Sequence, residues 1–377
     1  MGDGSGLFAL NFPLSRFLAF LLFPPPFVPL HPCPYNPVFP YVGFCLLMST
    51  TVQPSLAPDL ASAMKRDAAI VESYLQSVLD ARPLPTNLRE ATAYGLLGGG
   101  KRLRPLLVLW SCKAVGGDIE KALPAAAAIE LIHCFSLVHD DLPAMDDDDL
   151  RRGRPTLHRH TNEAMAILAG DLMSSLAFEL VATRMQPELA GMICRELAIG
   201  TNDMIAGQVF DTLPDFDEAT PPLDRLKTIH RNKTGALIRC SCRMGAMIGI
   251  QKSSKFKVQR SEFKGNKAEG SASPNFELET QNSELLPLLT RYGEAIGLMF
   301  QVVDDLLDVT QTTEHLGKKA GKDADKGKLT YPGLIGIDAS QKEVERLEAE
   351  AYDAIKPLGE NAKLLKELCE FMAKRTK

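Results

Sequence analysis

Beyond about residue 58, the apolar residues of this 377-residue chain fall into long runs with helical spacing. Ala, Leu, Ile and Met recur every three or four positions through 123–139, 163–183, 190–207, 226–249, 286–308 and 342–373. That spacing gives a helix one continuous apolar face. No alternating apolar and polar run of comparable length occurs, so no substantial sheet is expected. Asn87 and Glu90, following Pro85, have capping-box spacing and predict a helix start. The fold class that follows is all-α, a large bundle of long helices around a central cavity.

Two stretches break the pattern. Residues 1–57 are rich in Pro and Phe and show no helical period. The apolar run Phe17 to Phe23 follows Arg16 and is too short to span a bilayer. It suits a signal-peptide core or a transit segment, although no small-residue cleavage site follows. A true translation start at Met48 is a third reading. Residues 251–283 are polar, rich in Lys and Ser, and aperiodic, which predicts a flexible insertion between two helices. The expected organisation is a non-core extension at 1–57 and one domain at 58–377, with no transmembrane span. A cytoplasmic location follows, or a plastid or other organelle if residues 1–47 are a targeting segment.

Charge narrows the function. The chain has 42 Lys and Arg against 47 Asp and Glu, a net charge of −5, with both signs mixed. A nucleic-acid binder would carry a basic stripe, so none is expected as a partner. The eight cysteines are scattered without metal-site spacing, and Cys240 with Cys242 forms only C-x-C. They read as buried reduced thiols of an intracellular protein.

The acids are different. Asp140, Asp141 and Asp146 to Asp149 end one apolar helical run, and Asp304, Asp305 and Asp308 end another. Clustered carboxylates repel one another and resist desolvation, so cations between them are expected. Asp304 and Asp308 are one turn apart on a helix, with Gln301 on that side too. Pro143 interrupts the first helix, and the resulting bend would carry Asp146 back towards Asp140. Calcium-loop spacing is absent, whereas Mg²⁺ suits a few carboxylates completed by water and phosphate oxygens. Basic groups flank both clusters: Arg151 and Arg152; Gly98 to Gly100 with Lys101, Arg102 and Arg104; Lys233 with Thr234; and Lys318, Lys319, Lys322 and Lys328. Guanidinium groups grip phosphate oxygens in pairs, and glycines let backbone approach an anion. Gly95 through Lys101 imitates a nucleotide P-loop, but Arg102 stands where Ser or Thr is required. Two acidic walls and two separable basic sites suggest two diphosphate-bearing substrates.

The segments GGGKRLRP, HDDLPAMDDDDLRRGRPTLH, GDLM, AGQVFD, HRNKTGALI, FQVVDDLLD and GKLTYPGLIG resemble, in order, the motifs of trans-isoprenyl diphosphate synthases. The resemblance covers about 65–377 apart from the insertion, with bacterial-type farnesyl diphosphate synthases nearest. It implies the isoprenoid synthase fold, a homodimer, and Mg²⁺-dependent head-to-tail condensation of isopentenyl diphosphate with an allylic diphosphate. Roughly three Mg²⁺ ions per site are implied. By motif matching, Asp140, Asp146, Asp304 and Asp308 are the implied metal ligands, with Asp141 and Asp305 in support. Lys101, Arg104, His133 and Arg152 would hold isopentenyl diphosphate. Arg151, Lys233, Thr234, Gln301, Lys318 and Lys328 would hold the allylic diphosphate, and Gln208 would lie near the reacting carbons.

Product length is expected to be set on the apolar helix before Asp140. Phe135 lies five residues back, roughly 7.5 Å deeper. Its ring, beside the small Ser136, would floor the tunnel at a C15 product, farnesyl diphosphate. A C20 geranylgeranyl synthase is the alternative, as is a non-catalytic subunit of a heteromeric synthase. A terpene cyclase needs no second-substrate site, and the intact GGGKRLRP segment counts against it.

Overall fold

The computed structural model describes residues 58–254, 274–310 and 328–375. The described residues fall within one compact unit, Val52–Lys377. The extension, the middle of the insertion and Lys318, Lys319 and Lys322 lie outside them. The described chain is helical apart from one tiny hairpin, as the patterning predicts.

In chain order the helices begin with α1 (Pro58–Asp80), α2 (Thr86–Leu96), α3 (Leu103–Ala114) and α4 (Ile119–Asp140). A hairpin of β1 (Leu150–Arg151) and β2 (Arg154–Pro155) leads to α5 (Leu157–His160), α6 (Glu163–Arg184) and α7 (Pro187–Thr212). Then α8 (Pro222–His230) continues through a single π-helical turn, Arg231–Gly235, into α9 (Ala236–Ser254). The chain closes with α10 (Pro274–Thr310), α11 (Tyr331–Ile335), α12 (Ile337–Ile355), a 3₁₀ segment at Lys356–Ala362, and α13 (Lys363–Lys374).

Several boundaries differ from the sequence reading, each for a local reason. The capping box does not form. Asn87 already lies inside the first turn of α2, and its Oδ1 accepts from the next residue's backbone N–H, Leu88, at 2.9 Å. The periodic run 342–373 is interrupted where Pro357 lacks a donor and Gly359 takes φ 58°. Both flanks of the segment read as an aperiodic insertion are helical, because α9 extends to Ser254 and α10 starts at Pro274. Other starts follow ordinary capping: Asn162 Oδ1 accepts from Met165 N at 2.9 Å, and Asp118 Oδ1 from Glu120 N at 3.2 Å.

The core centres on α3, α4, α9 and α10. Leu106 to Trp110 on α3 and Ala125 to Ile129 on α4 are fully enclosed. By length and composition, α4 and α6 could each cross a bilayer. In α4 that composition is core, since even Glu130 is buried and paired. In α6 part of the apolar surface faces outward, with Leu168 55% exposed.

Helix α7 meets the π turn backbone to backbone. A Cβ on Gly207 would lie 2.1 Å from the Lys233 amide nitrogen. Gly191 on the same helix faces open space. Gly207→Ala is therefore expected to lower the melting temperature by several degrees, because backbone must shift. Gly191→Ala is expected to leave it unchanged or raise it, since alanine is the better helix former. Thermal melts of the two variants check both signs.

Candidate active site

The first acidic wall is built where α4 ends. Asp140 is its last residue, and the chain then turns so that Asp146 N donates to the Asp140 carbonyl at 2.8 Å. The bend brings Asp146 back beside Asp140, as the proline predicted. Burial is the main reason that the Asp140 carboxyl is pushed up to about 6. Lys233 and Arg151 pull it down, while Asp146 and Asp141 raise it further.

Asp141 has another task. It is buried, and Arg151 donates to both of its oxygens, with Nε at 2.8 Å from each and Nη2 at 2.6 Å from Oδ1. Neighbouring helical residues point about 100° apart, so two adjacent acids cannot both face one point. The second wall repeats this division on α10. Asp304 is partly exposed and lies 3.6 Å from an Arg375 guanidinium nitrogen. Asp305 is buried, and its Oδ2 accepts from Tyr331 N at 2.9 Å and faces His230 Nε2 at 3.2 Å. Beside the supporting metal role that the resemblance implies, Asp141 and Asp305 each anchor a neighbouring segment. Asp141 holds Arg151, and Asp305 holds α8 and the start of α11.

A cavity of about 490 Å³ lies between α3, α4 and α10. Lys101, Arg104, His133 and Arg152 line it, together with Asp304 and Asp308. The buried Asp308 leaves Oδ1 without a hydrogen-bond partner. His133 Nε2 lies 3.2 Å from Arg104 Nη1. Burial and the surrounding arginines hold the imidazole well below its ordinary pKa, so it is neutral and accepts from Arg104. Burial likewise lowers the Lys101 pKa, with Arg375 adding to it and Asp304 opposing.

Arg152 reaches this cavity from the hairpin. Its φ of 55° and that of Gly153, 73°, make the tight turn joining β1 to β2. Its guanidinium contacts the Gly99 carbonyl and lies where a Cβ on Gly100 would fall. Arg102 departs from the basic group read in the sequence. Arg102 and Glu130 border the cavity, but the Arg102 side chain has no solvent exposure and its charge is neutralised by Glu130 at 2.7 Å.

The second basic set surrounds an acid that the sequence reading did not select. Asp211 Oδ2 accepts from Lys233 Nζ at 2.7 Å and Lys328 Nζ at 2.8 Å. Burial alone would raise its pKa, but the two lysines hold it below the ordinary carboxylate range. Asp211 lies one turn after Gly207, and that spacing within AGQVFD was its only sequence signal. Thr234 Oγ1 donates to Gln301 Oε1 at 2.8 Å, tying the π turn to α10. Gln208 Nε2 donates to Thr212 at 3.3 Å, while its buried Oε1 lacks a partner. Arg375 was also missed, since it lies sixty-seven residues beyond Asp308 in a short basic tail. Lys318 lies outside the described residues.

No group of three or more His, Cys, Asp or Glu side chains among the described residues is close enough to hold a metal alone. The donors facing the cavity are carboxylate oxygens, and one buried oxygen of Asp308 is unpartnered. This set fits Mg²⁺, which binds through one or two carboxylates and completes its shell with water and phosphate oxygens.

Phe135 and Ser136 separate on α4. The Phe135 ring meets His139 edge-on, with centroids 5.7 Å apart. The His139 Nε2 lies 3.1 Å from the Ile167 carbonyl, and the ring fills the space over Gly170 on α6. Ser136 Oγ donates to the His133 carbonyl at 2.9 Å.

Comparison with known proteins agrees with this geometry. The family model for polyprenyl synthetase matches residues 85–263 and 276–371. Geranylgeranyl pyrophosphate synthase 11, chloroplastic, of Arabidopsis thaliana is 42% identical over 308 residues, covering 79% of this chain and 76% of the relative. A geranylgeranyl pyrophosphate synthetase from Pyrococcus horikoshii superposes with a TM-score of 0.69 at 30% identity, covering 84% of this chain and 98% of its own. An FPP/GFPP synthase from Zymomonas mobilis gives 0.66 at 30% identity, covering 84% and 99%. The chain belongs to the polyprenyl synthetase family of trans-isoprenyl diphosphate synthases and is a prenyltransferase of the all-α isoprenoid synthase fold.

Proposed function

We propose that residues 58–377 form a geranylgeranyl diphosphate synthase, which extends allylic diphosphates with isopentenyl diphosphate to a C20 product. The observation that carries the elongation reading is the single cavity where Lys101, Arg104, His133 and Arg152 face Asp304 and Asp308. One diphosphate fits the cations directly. The other fits between the acidic walls, where Asp140, Asp146, Asp304 and Asp308 would hold Mg²⁺. Mg²⁺, when bound, supplies positive charge to a departing diphosphate. Lys233 and Lys328, gathered on Asp211, and Arg151, gathered on Asp141, are held ready for the same anion. As the allylic C–O bond breaks, the diphosphate leaves and its carbon becomes a delocalised cation. The double bond of isopentenyl diphosphate attacks that carbon, and the new cation on the isopentenyl unit loses a proton to the departed diphosphate, restoring a double bond. The enclosed apolar flank of α4 excludes water that would quench the cation.

The C20 assignment replaces the C15 expectation drawn from Phe135. Depth alone supported the plug, and direction opposes it. Five residues before Asp140 is about 140° around the helix, whereas four residues is about 40°. Phe135 accordingly packs towards His139 and α6, and the small Ser136 lies below Asp140. The names of the Arabidopsis and Pyrococcus relatives support the same reading. Incubation of the 48–377 protein with Mg²⁺, isopentenyl diphosphate and dimethylallyl diphosphate is expected to give a C20 diphosphate. Ser136→Phe is expected to shorten the product to C15, Phe135→Ala to leave C20 unchanged, and Asp304→Ala to abolish elongation. A C15 product from the parent, lengthened by Phe135→Ala, would restore the Phe135 plug.

We also propose a homodimer closed through α6 and α7. Leu168, Ile199, Ile205 and Val209 are 55%, 41%, 48% and 43% exposed on these helices. Apolar faces of that extent on a water-soluble bundle mark association surfaces. Light scattering is expected to give twice the chain mass for the parent and the chain mass for Leu168→Glu with Ile205→Glu. A monomeric parent would exclude the dimer.

Residues 1–57 are proposed to direct plastid import, supported by the chloroplastic designation of the Arabidopsis relative. A reporter carrying them is expected to enter plastids. A reporter that stays in the cytosol would return the location to the cytoplasm.

A further inference from the structure

Three cations occupy Lys101 to Arg104, yet they do not share a role. All three border the cavity, but the Arg102 side chain has no solvent exposure and is turned into the wall against Glu130. Its backbone is left-handed, with φ 50° and ψ 33°, a conformation that a side chain other than glycine resists. Such a conformation persists only where surrounding contacts enforce it.

Those contacts come from three helices. Arg102 Nη1 donates to Glu130 Oε1 on α4 at 2.7 Å. Its Nε donates to Glu72 Oε1 on α1 at 3.1 Å. Its Nη2 donates to the Leu96 carbonyl at 2.9 Å, satisfying one of the last carbonyls of α2. The Arg102 carbonyl accepts from Leu106 N at 3.1 Å, which starts α3. One side chain thus fixes the end of α2, the start of α3 and their distance from α4.

Glu130 also sets a register. It lies one turn before His133 on α4, so both share a face. Arg102 binds Glu130, and two residues later Arg104 meets His133 at 3.2 Å. The ion pair and the Arg104–His133 contact are successive rungs between α3 and α4. Moving the first rung displaces the second.

We propose that the buried Arg102–Glu130 pair positions Lys101 and Arg104 for the diphosphate of isopentenyl diphosphate without touching it. The inference rests on reading this cavity as that substrate's site. Arg102 and Glu130 are positioning residues, and their loss acts on one substrate. The allylic side is built independently, on Asp211 with Lys233 and Lys328 and on Asp141 with Arg151.

The test is steady-state kinetics on the full domain with isopentenyl and geranyl diphosphates varied in turn. Arg102→Met with Glu130→Leu removes both charges of the pair together. The expected result is a KM for isopentenyl diphosphate raised about tenfold or more, with that for geranyl diphosphate within about twofold. Arg102→Lys keeps the charge but loses the three-way fork, and is expected to raise the same KM by a smaller factor. It carries the test if the double variant does not fold. A folded variant with unchanged KM for isopentenyl diphosphate, or with both KM values raised equally, would overturn the proposal. Lys101→Ala separates the two levels. If it leaves the KM for isopentenyl diphosphate unchanged, the substrate reading fails and the positioning role with it. If it raises that KM while the Arg102 variants do not, only the positioning role fails.

Discussion

A carboxylate inside a helical bundle needs a cation, and most of this site follows from that requirement. Removing an ionised acid from water is costly unless it is paired and hydrogen-bonded. Here the cost is sharpened because Asp140 ends α4 and Asp304 to Asp308 fall near the end of α10, where the helix dipole is negative. The protein answers it in two ways. Some acids are tied down: Asp141 by Arg151, Asp305 by the Tyr331 amide and His230, Asp211 by two lysines, Glu130 by Arg102. Others are less fully satisfied, with Asp140 shifted upward by burial and Asp308, which lines the cavity, holding an unpartnered oxygen. The first set fixes architecture, and the second fits the divalent cations proposed for this site.

Two of the anchored acids also orient a cation. Arg151 is held by Asp141 and Lys233 by Asp211, so both are fixed before any ligand arrives. Preorganised charge of this kind needs no rearrangement when charge develops on a leaving group. The backbone does equivalent work. The hairpin turn at Arg152 and Gly153, and the glycine run before Lys101, bring two segments about fifty residues apart onto one cavity. The π turn at Arg231–Gly235 seats Lys233 against the bare backbone of Gly207, one turn before Asp211.

The same helical rotation bears on the residues before Asp140. Adjacent acids turn apart because a helix rotates about 100° per residue, so Asp304 lines the cavity while Asp305 anchors, and Asp141 turns to Arg151. The same rotation puts Phe135 beside His139 and Ser136 nearer the Asp140 face. Spacing along a sequence gives depth, but a helix converts spacing into direction as well.

The sequence by itself determined the all-α class, the long helices, the two acidic walls, the bend that returns Asp146 to Asp140, and the basic groups that accompany them. These are local properties, carried by apolar periodicity, by a proline and by clustered charge, and periodicity is read over one or two helical turns. It could not separate Asp140 from Asp141 or Arg102 from Arg104, because like residues side by side differ only in what faces them. It also passed over Asp211 and Arg375, whose partners lie 22 and 71 positions away. Only the tertiary structure decided which charge is neutralised internally and which is left for a substrate, because burial and pairing arise when distant helices meet.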